Sequence, residues 1–421
     1  MMKDFSSKNR QVLLGLAASL LTVIMGLSLW GCNTFGTRIA GTPEIGRFEA
    51  DPAVFGEYYP LQYAAYLRNK EMISTAYGGS EPYDYLEKYP YLERIYEGIG
   101  FSIDYKRSRG HIYSLEDTLK TERGKPGGAC LTCKSGDVPR LLDEYGVSFY
   151  AEDFETISAK SAYPISCVDC HAPETMELRI SRPSLGKALE RKGQDLEELT
   201  RDDYSSLVCA QCHVEYYFAP GTLEVTFPWD EGFKVDEVEQ YFTKQEFTDW
   251  FHPTAGTKLV KIQHPEYEMY QGSVHQRLGV SCADCHMPVM EKDGETYPSH
   301  WWTSPVHHLE ESCSSCHGND MAALQQRVES VQETVYKLQN EVAYLLVDAL
   351  DALDAAAKNG TDETVLEEAR SLYRKAHIRW DWVFVENSTG FHNRSAATDS
   401  LEAAGQYARN VLKLLEKHNQ D

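Results

Sequence analysis

The cysteines constrain this chain more than anything else in it. Ten of the eleven fall in five Cys-x-x-Cys pairs: Cys130/Cys133, Cys167/Cys170, Cys209/Cys212, Cys282/Cys285 and Cys313/Cys316. Four pairs are followed at once by a histidine, namely His171, His213, His286 and His317. Cys-x-x-Cys-His is the attachment signature of c-type haem, in which two thiols form thioethers to the porphyrin and the adjacent imidazole is delivered to the iron. Paired Cys-x-x-Cys knuckles can also close a zinc site, but zinc explains neither the repeated histidine nor the odd number of pairs. A thioredoxin-like redox pair is open to Cys130/Cys133 alone, and no βαβ pattern surrounds it. Five haems also answer a packing problem. The stretch from Phe48 to Asn319 is rich in tyrosine and short turns and has little sustained periodicity beyond pieces such as Pro183 to Lys192, so its core needs something else to pack against.

The fifth pair differs in one residue: Lys134 stands where histidine is expected after Cys130-Leu131-Thr132-Cys133. Either the motif has decayed, or Lys134 itself ligates iron as the neutral amine, which needs burial and metal binding to depress its pKa. An amine opposite an open coordination position makes a substrate-binding iron, whereas electron-transfer haems are closed on both faces. Four closed haems call for four histidines outside the motifs. The candidates are His111, His252, His264, His275, His300, His307, His308, His377, His392 and His418, and sequence spacing alone does not choose among them.

A formal net charge of -23 argues against nucleic-acid binding and against extended contact with anionic lipid. A protein partner would present a basic face, and an anionic substrate would need local positive charge at its site. Lys3, Lys8 and Arg10 precede an apolar stretch from Val12 to Trp30, which reads as an export signal or an uncleaved anchor, and Gly31-Cys32 resembles a lipoprotein signal. The expected division is a signal or anchor over 1–31, a linker over 32–45, a pentahaem catalytic domain over 46–320 and a helical region over 321–421. In that last region Leu324, Val328, Val331, Val335, Leu338, Val342 and Leu345 form an a/d seam on a helix ending near Asn359-Gly360. Helices over about Asp362–Glu386 and Thr398–Lys417 follow. The seam serves either packing within the chain or a helical homodimer interface.

The pattern resembles the pentahaem ammonia-forming cytochrome c nitrite reductases. The resemblance is carried by the Cys-x-x-Cys-Lys site, the order of the four Cys-x-x-Cys-His sites, Arg109-Gly110-His111, Cys212-His213-Val214-Glu215-Tyr216-Tyr217-Phe218, Lys261-Ile262-Gln263-His264-Pro265 and the three-helix tail. It implies a mainly α multihaem cytochrome c with few short strands, a haem-packed N-terminal region and long C-terminal helices. It implies Lys134 as proximal ligand of the active-site haem, and His171, His213, His286 and His317 as those of the other four. His300 would be the second ligand for the Cys167/Cys170 haem, His111 for Cys209/Cys212, His392 for Cys282/Cys285 and His275 for Cys313/Cys316. Arg123, Tyr216 and His264 would form the catalytic trio, with Lys120 and Lys125 as rivals of Arg123. Calcium would take the Glu215 carboxylate, the Gln263 side-chain oxygen and the carbonyls of Tyr216 and Lys261, all hard oxygen donors.

The implied activity is six-electron reduction of nitrite to ammonium. His264 and Arg123 would donate hydrogen bonds or protons to the nitrite oxygens, Tyr216 would position or relay a proton or stabilise a radical, and the remaining haems would form a wire. The implied partners are nitrite, a membrane quinol-oxidising multihaem cytochrome or a soluble periplasmic donor, and a second copy of the chain. The implied location is the periplasm or the outer face of the cytoplasmic membrane. Two other classes share these features: a multihaem reductase acting on hydroxylamine, sulfite or tetrathionate, and a non-catalytic multihaem electron carrier.

Overall fold

The cysteine motifs show how local sequence sets local structure. In the computed structural model, which describes residues 44–418, Cys167–Cys170 (α1) and Cys282–His286 (α3) are single helical turns with the same start signal. Ser166 and Ser281 stand before the first cysteine, and Asp169 and Asp284 accept the serine N–H three residues back, at 2.7 and 2.6 Å. This closure satisfies donors that a helix start leaves free. It also puts the two cysteines of each pair three residues apart, on one face of the turn. Arg201–Ala210 (α2), capped by Thr200 and Asp203, ends in the Cys209/Cys212 motif, and Leu309–His317 (α4) carries the Cys313/Cys316 motif. The Cys130/Cys133 pair sits instead in a short 3-10 turn over Gly128–Leu131 and the residues after it. None of the ten described cysteines forms a disulfide.

Three long helices make up the rest: Met321–Lys358 (α5), Glu363–Phe384 (α6) and Arg394–His418 (α7). Asp320 caps α5, Gly360 takes a left-handed φ of 79° just past its end, and Asp362 caps α6. The third helix begins at Arg394, four residues before the expected Thr398. Asn393 is the reason: its side-chain oxygen accepts Ala396 N–H at 3.3 Å and its carbonyl accepts Ala397 N–H at 3.0 Å, a cap the expectation overlooked. Strands are few and short. Three antiparallel hairpins pair Tyr217–Phe218 with Val225–Thr226, Trp250–His252 with Thr257–Leu259, and Val289–Lys292 with Glu295–Pro298. The last turns on Asp293-Gly294, both at positive φ as a two-residue hairpin loop requires.

The larger core joins residues on both sides of residue 320: Leu92, Ile95, Tyr96, Phe242, Leu259 and Ile262 pack with Leu346, Leu350, Trp380, Val383 and Leu401. The seam of α5 divides accordingly. Val335 and Val342 are buried in this core and Leu338 and Leu345 pack partly against it. Leu324, Val328 and Val331 face the large cavity described below. The Cys-rich region has a smaller core of its own around Leu131, Val138, Phe149, Leu185, Phe227 and Trp229. Among the described residues no helix is long and apolar enough to cross a membrane. The expected signal or anchor, with Cys32, lies outside the described residues.

Candidate haem centres and active site

A connected cavity of about 2280 Å³ runs through the Cys-rich region. Ordinary small-molecule pockets measure about 300–1,000 Å³. All ten motif cysteines line it, with Lys134, His171, His213, His286 and His317. Of the ten histidines left open by the sequence, five line it: His111, His264, His275, His300 and His392. His252 bonds the Arg94 carbonyl at 3.0 Å, His307 and His308 pack on Trp301, and His377 is buried between Tyr96, Trp250 and Tyr373.

Eight of the cavity histidines form pairs across it. Ring centroids are 5.7 Å apart for His111 and His213, 6.2 Å for His171 and His300, 6.1 Å for His275 and His317, and 6.2 Å for His286 and His392. Two metal–imidazole bonds of about 2.0–2.1 Å plus the two ring radii span about 6 Å, so each pair fits one iron between its rings. Each pair joins a motif histidine to the distal histidine that the resemblance implies for it. Burial holds His111 down to about 3 and His286 and His300 down to about 4, which keeps them neutral as metal ligands must be. His213 and His392 are raised instead: burial lowers them, but Glu266 faces the first and Glu386 the second, taking His392 up to about 9.

His264, the ninth cavity histidine, belongs to none of the four pairs. It lies on the segment that follows Lys261, and that segment is pinned from α6. Asp381, wholly buried, accepts Lys261 Nζ at 3.0 and 3.1 Å, Ile262 N–H at 3.0 Å and the Tyr96 hydroxyl. Burial pushes the His264 imidazole down to about 3, so it stands neutral with one N–H to donate. Tyr216 also lines the cavity, its hydroxyl pushed well up by burial and by the Cys133 and Cys130 thiols.

Arg123 reaches the same space from the loop before Cys130. Its Nη1 donates to the Asp104 carbonyl at 3.0 Å, and its guanidinium lies over Phe101 at 4.3 Å. The Asp104 carboxylate ties that loop down by accepting the Thr121 hydroxyl and Glu122 N–H, each at 2.7 Å. The rivals Lys120 and Lys125 line the cavity too, but Lys120 is 69% exposed and ion-paired with Glu116, and Lys125 bonds the Leu119 carbonyl at 3.3 Å beside Phe154. Arg182, 1% exposed, links the Lys134 site to its neighbour. It donates to the carbonyls of Thr132 (2.6 Å) and Ser135 (3.1 Å) and pairs with Asp169 of α1.

Of the expected calcium donors, Glu215, Gln263 and the Lys261 carbonyl come together beside Tyr216 and His264 in the chain. Glu215 is fully buried, its Oε2 accepts Gln263 N–H at 2.6 Å, and its Oε1 has no hydrogen-bond partner among the described residues. Burial pushes this carboxyl well up. A buried carboxylate oxygen without a donor is costly, and a hard cation relieves it. Gln263 turns its side-chain nitrogen to the Lys261 carbonyl at 2.9 Å. Half a turn of that amide sets its oxygen beside the carbonyl, an arrangement that a cation would draw together. The chemistry of these three donors fits a hard cation such as calcium. Sequence reasoning missed Asp104, Arg182, Glu266, Asp381 and Glu386, since nothing in their local sequence sets them apart from surface charges.

The chain is similar to known proteins over most of its length. Cytochrome c-552 of Bacteroides fragilis (strain YCH46) is 37% identical over 390 residues, covering 89% of this chain and 79% of that protein. The cytochrome c nitrite reductase subunit NrfA of Nitratidesulfovibrio vulgaris (strain Hildenborough) is 34% identical over 432 residues, covering 91% and 82%. Among solved structures, cytochrome c nitrite reductase from Desulfovibrio desulfuricans ATCC 27774, described with two calcium sites in its catalytic subunit (NrfA), superposes with a TM-score of 0.84 at 33% identity, over 89% of this chain and 88% of that one. The profile of the cytochrome c552 family matches residues 51–420, so with its five attachment motifs and one shared cavity the chain belongs to the cytochrome c552 family.

Proposed function

We propose that this chain reduces nitrite to ammonium with six electrons, at the haem attached through Cys130 and Cys133 with Lys134 as its proximal ligand. The observation that carries the reading is the sorting of the cavity histidines: four motif histidines face four distal ones about 6 Å away, while Lys134, His264, Tyr216 and Arg123 share the same space outside those pairs. When bound, the lysine-ligated haem would supply an open iron for nitrite, and the four bis-histidine haems would supply electrons. Lys134 holds its position through its N–H to the Leu131 carbonyl (2.9 Å), with Ser114 Oγ donating to its carbonyl (2.8 Å). The Arg123 guanidinium compensates the charge of the incoming anion, which the acidic protein would otherwise repel. Neutral His264 donates its ring N–H as a hydrogen bond to a nitrite oxygen and orients it, while the two protons that turn a departing oxygen into water come from solvent. Tyr216 adds a hydroxyl that stays protonated.

Calcium, held by Glu215, Gln263 and the carbonyls of Tyr216 and Lys261, would fix the two segments that carry Tyr216 and His264. Export by the N-terminal segment, a multihaem or soluble donor with a basic face, and a homodimer through α5 belong to the same proposal. The dimer draws support from Tyr344, 61% exposed on that helix. The test is product stoichiometry with a chemically reduced dye as donor: six dye electrons consumed and one ammonium formed per nitrite. Release of nitric oxide or hydroxylamine as the main product would overturn the proposal.

A further inference from the structure

A ligating imidazole binds metal through one nitrogen and is tuned through the other. The paired histidines face unlike groups through Nδ1. His171 meets the Met176 carbonyl at 2.8 Å, His286 the Thr303 carbonyl at 3.0 Å and His300 the Pro298 carbonyl at 3.0 Å. Two others meet carboxylates. His392 Nδ1 lies 2.5 Å from Glu386 Oε1, and His213 Nδ1 lies 3.8 Å from Glu266 Oε2. The His392 ring is turned so that Nδ1 and the carboxylate oxygen lie in close contact without an aligned hydrogen bond.

Glu386 sits just beyond α6, its side chain 0% exposed. Its carboxylate is fixed by Ser388 N–H on Oε1 (3.0 Å) and by the Ser388 hydroxyl (2.7 Å) and Gly390 N–H (3.4 Å) on Oε2. The same turn braces the second carboxylate, because Asn387 donates to Glu266 Oε1 through its backbone (3.3 Å) and its side chain. One short turn therefore organises negative charge beside ligands of two neighbouring centres.

We propose that Glu386 is a potential-setting residue, whose buried carboxylate against His392 holds the haem attached at Cys282/Cys285 at a lower reduction potential than haems whose imidazoles face only carbonyls. The inference rests on the proposed reading of His286 and His392 as an axial pair. A fixed negative charge disfavours gain of an electron nearby, and burial keeps solvent and salt from screening it. A carboxylate on Nδ1 also makes the imidazole a stronger donor, which favours the oxidised metal. A step of this kind passes its electron onward rather than storing it.

Glu386→Gln keeps the shape and an acceptor for Ser388 while removing the charge. In the full five-haem protein, an optical redox titration should show one midpoint raised by at least a tenfold change in the reduction equilibrium, about 59 mV for one electron. Glu386→Asp, which keeps the charge, should stay nearer the wild-type value. Unmoved midpoints in Glu386→Gln with five haems attached, or an equal rise in Glu386→Asp, would overturn the proposal. A new high-spin signal in Glu386→Gln would make Glu386 a latch for His392 and would also overturn it. Failure of the axial-pair reading looks different: the unsubstituted protein would already lack one of its four bis-histidine low-spin signals.

Discussion

Arg123→Ala separates charge compensation from hydrogen bonding at the proposed nitrite site. Two unit charges about 4 Å apart attract by about 4 kcal/mol at an effective dielectric of about 20. Arg123 is half-buried, so solvent screening removes roughly half of that. The remaining 2 kcal/mol or so corresponds to about 30-fold in kcat/KM for nitrite. Hydroxylamine is neutral near pH 7 and would lose only a hydrogen bond, about 1 kcal/mol, or about fivefold. Steady-state rates with both substrates on the same preparation give the ratio directly, and Arg123→Lys should recover most of the preference for nitrite. Because Arg123 also braces the Asp104 carbonyl and covers Phe101, haem content and thermal unfolding are measured alongside. An equal loss on both substrates would refute the anion role and shift attention to Lys120 or Lys125.

Replacing the proximal amine is a second test: Lys134→His should keep the haem attached but lower nitrite turnover, and unchanged turnover at full haem loading would remove Lys134 as a tuned ligand. Chelator treatment should lower activity and loosen the segments carrying Glu215 and Gln263, as read by metal analysis and proteolysis; full activity without bound calcium would contradict this. The buried His377 makes a pH prediction. Burial, with the Lys261 charge behind it, holds this imidazole well below its ordinary value of 6.5, and neither ring nitrogen has a hydrogen-bond partner among the described residues. Its contribution to stability is complete above pH 6.5 and is lost as pH falls towards the depressed folded value, about 2 kcal/mol by pH 5. His377→Leu should therefore flatten the acid side of the unfolding profile, and an unchanged profile would show that His377 is not a source of acid sensitivity.

What the sequence discloses and what it conceals follow from the range of the interactions. Cys-x-x-Cys-His is a local covalent device, and the a/d spacing of α5 and its Gly360 stop are local too, so both are legible from the chain alone. The start of α7 at Arg394 is set by Asn393, whose capping role is one of several open to an asparagine in a polar turn. The distal histidines are a different case. His111 and His213, or His286 and His392, lie far apart in the sequence, and no local pattern sets the distal member apart from His252 or His377; the resemblance and the shared cavity do. The supporting acids are least legible of all. Asp381 and Glu386 sit in or just after an ordinary amphipathic helix, and nothing local says that one clamps Lys261 and the other faces a histidine ring.

The proposed division of labour sets one open lysine-ligated haem against four closed bis-histidine haems. It is tested most directly by combining a pyridine haemochrome count with the spin state of the oxidised protein. Five covalent haems per chain are expected, four low-spin and one high-spin, with nitrite perturbing the high-spin signal alone. Four haems with the Cys130/Cys133 peptide unmodified, or five haems that are all low-spin and indifferent to nitrite, would contradict it.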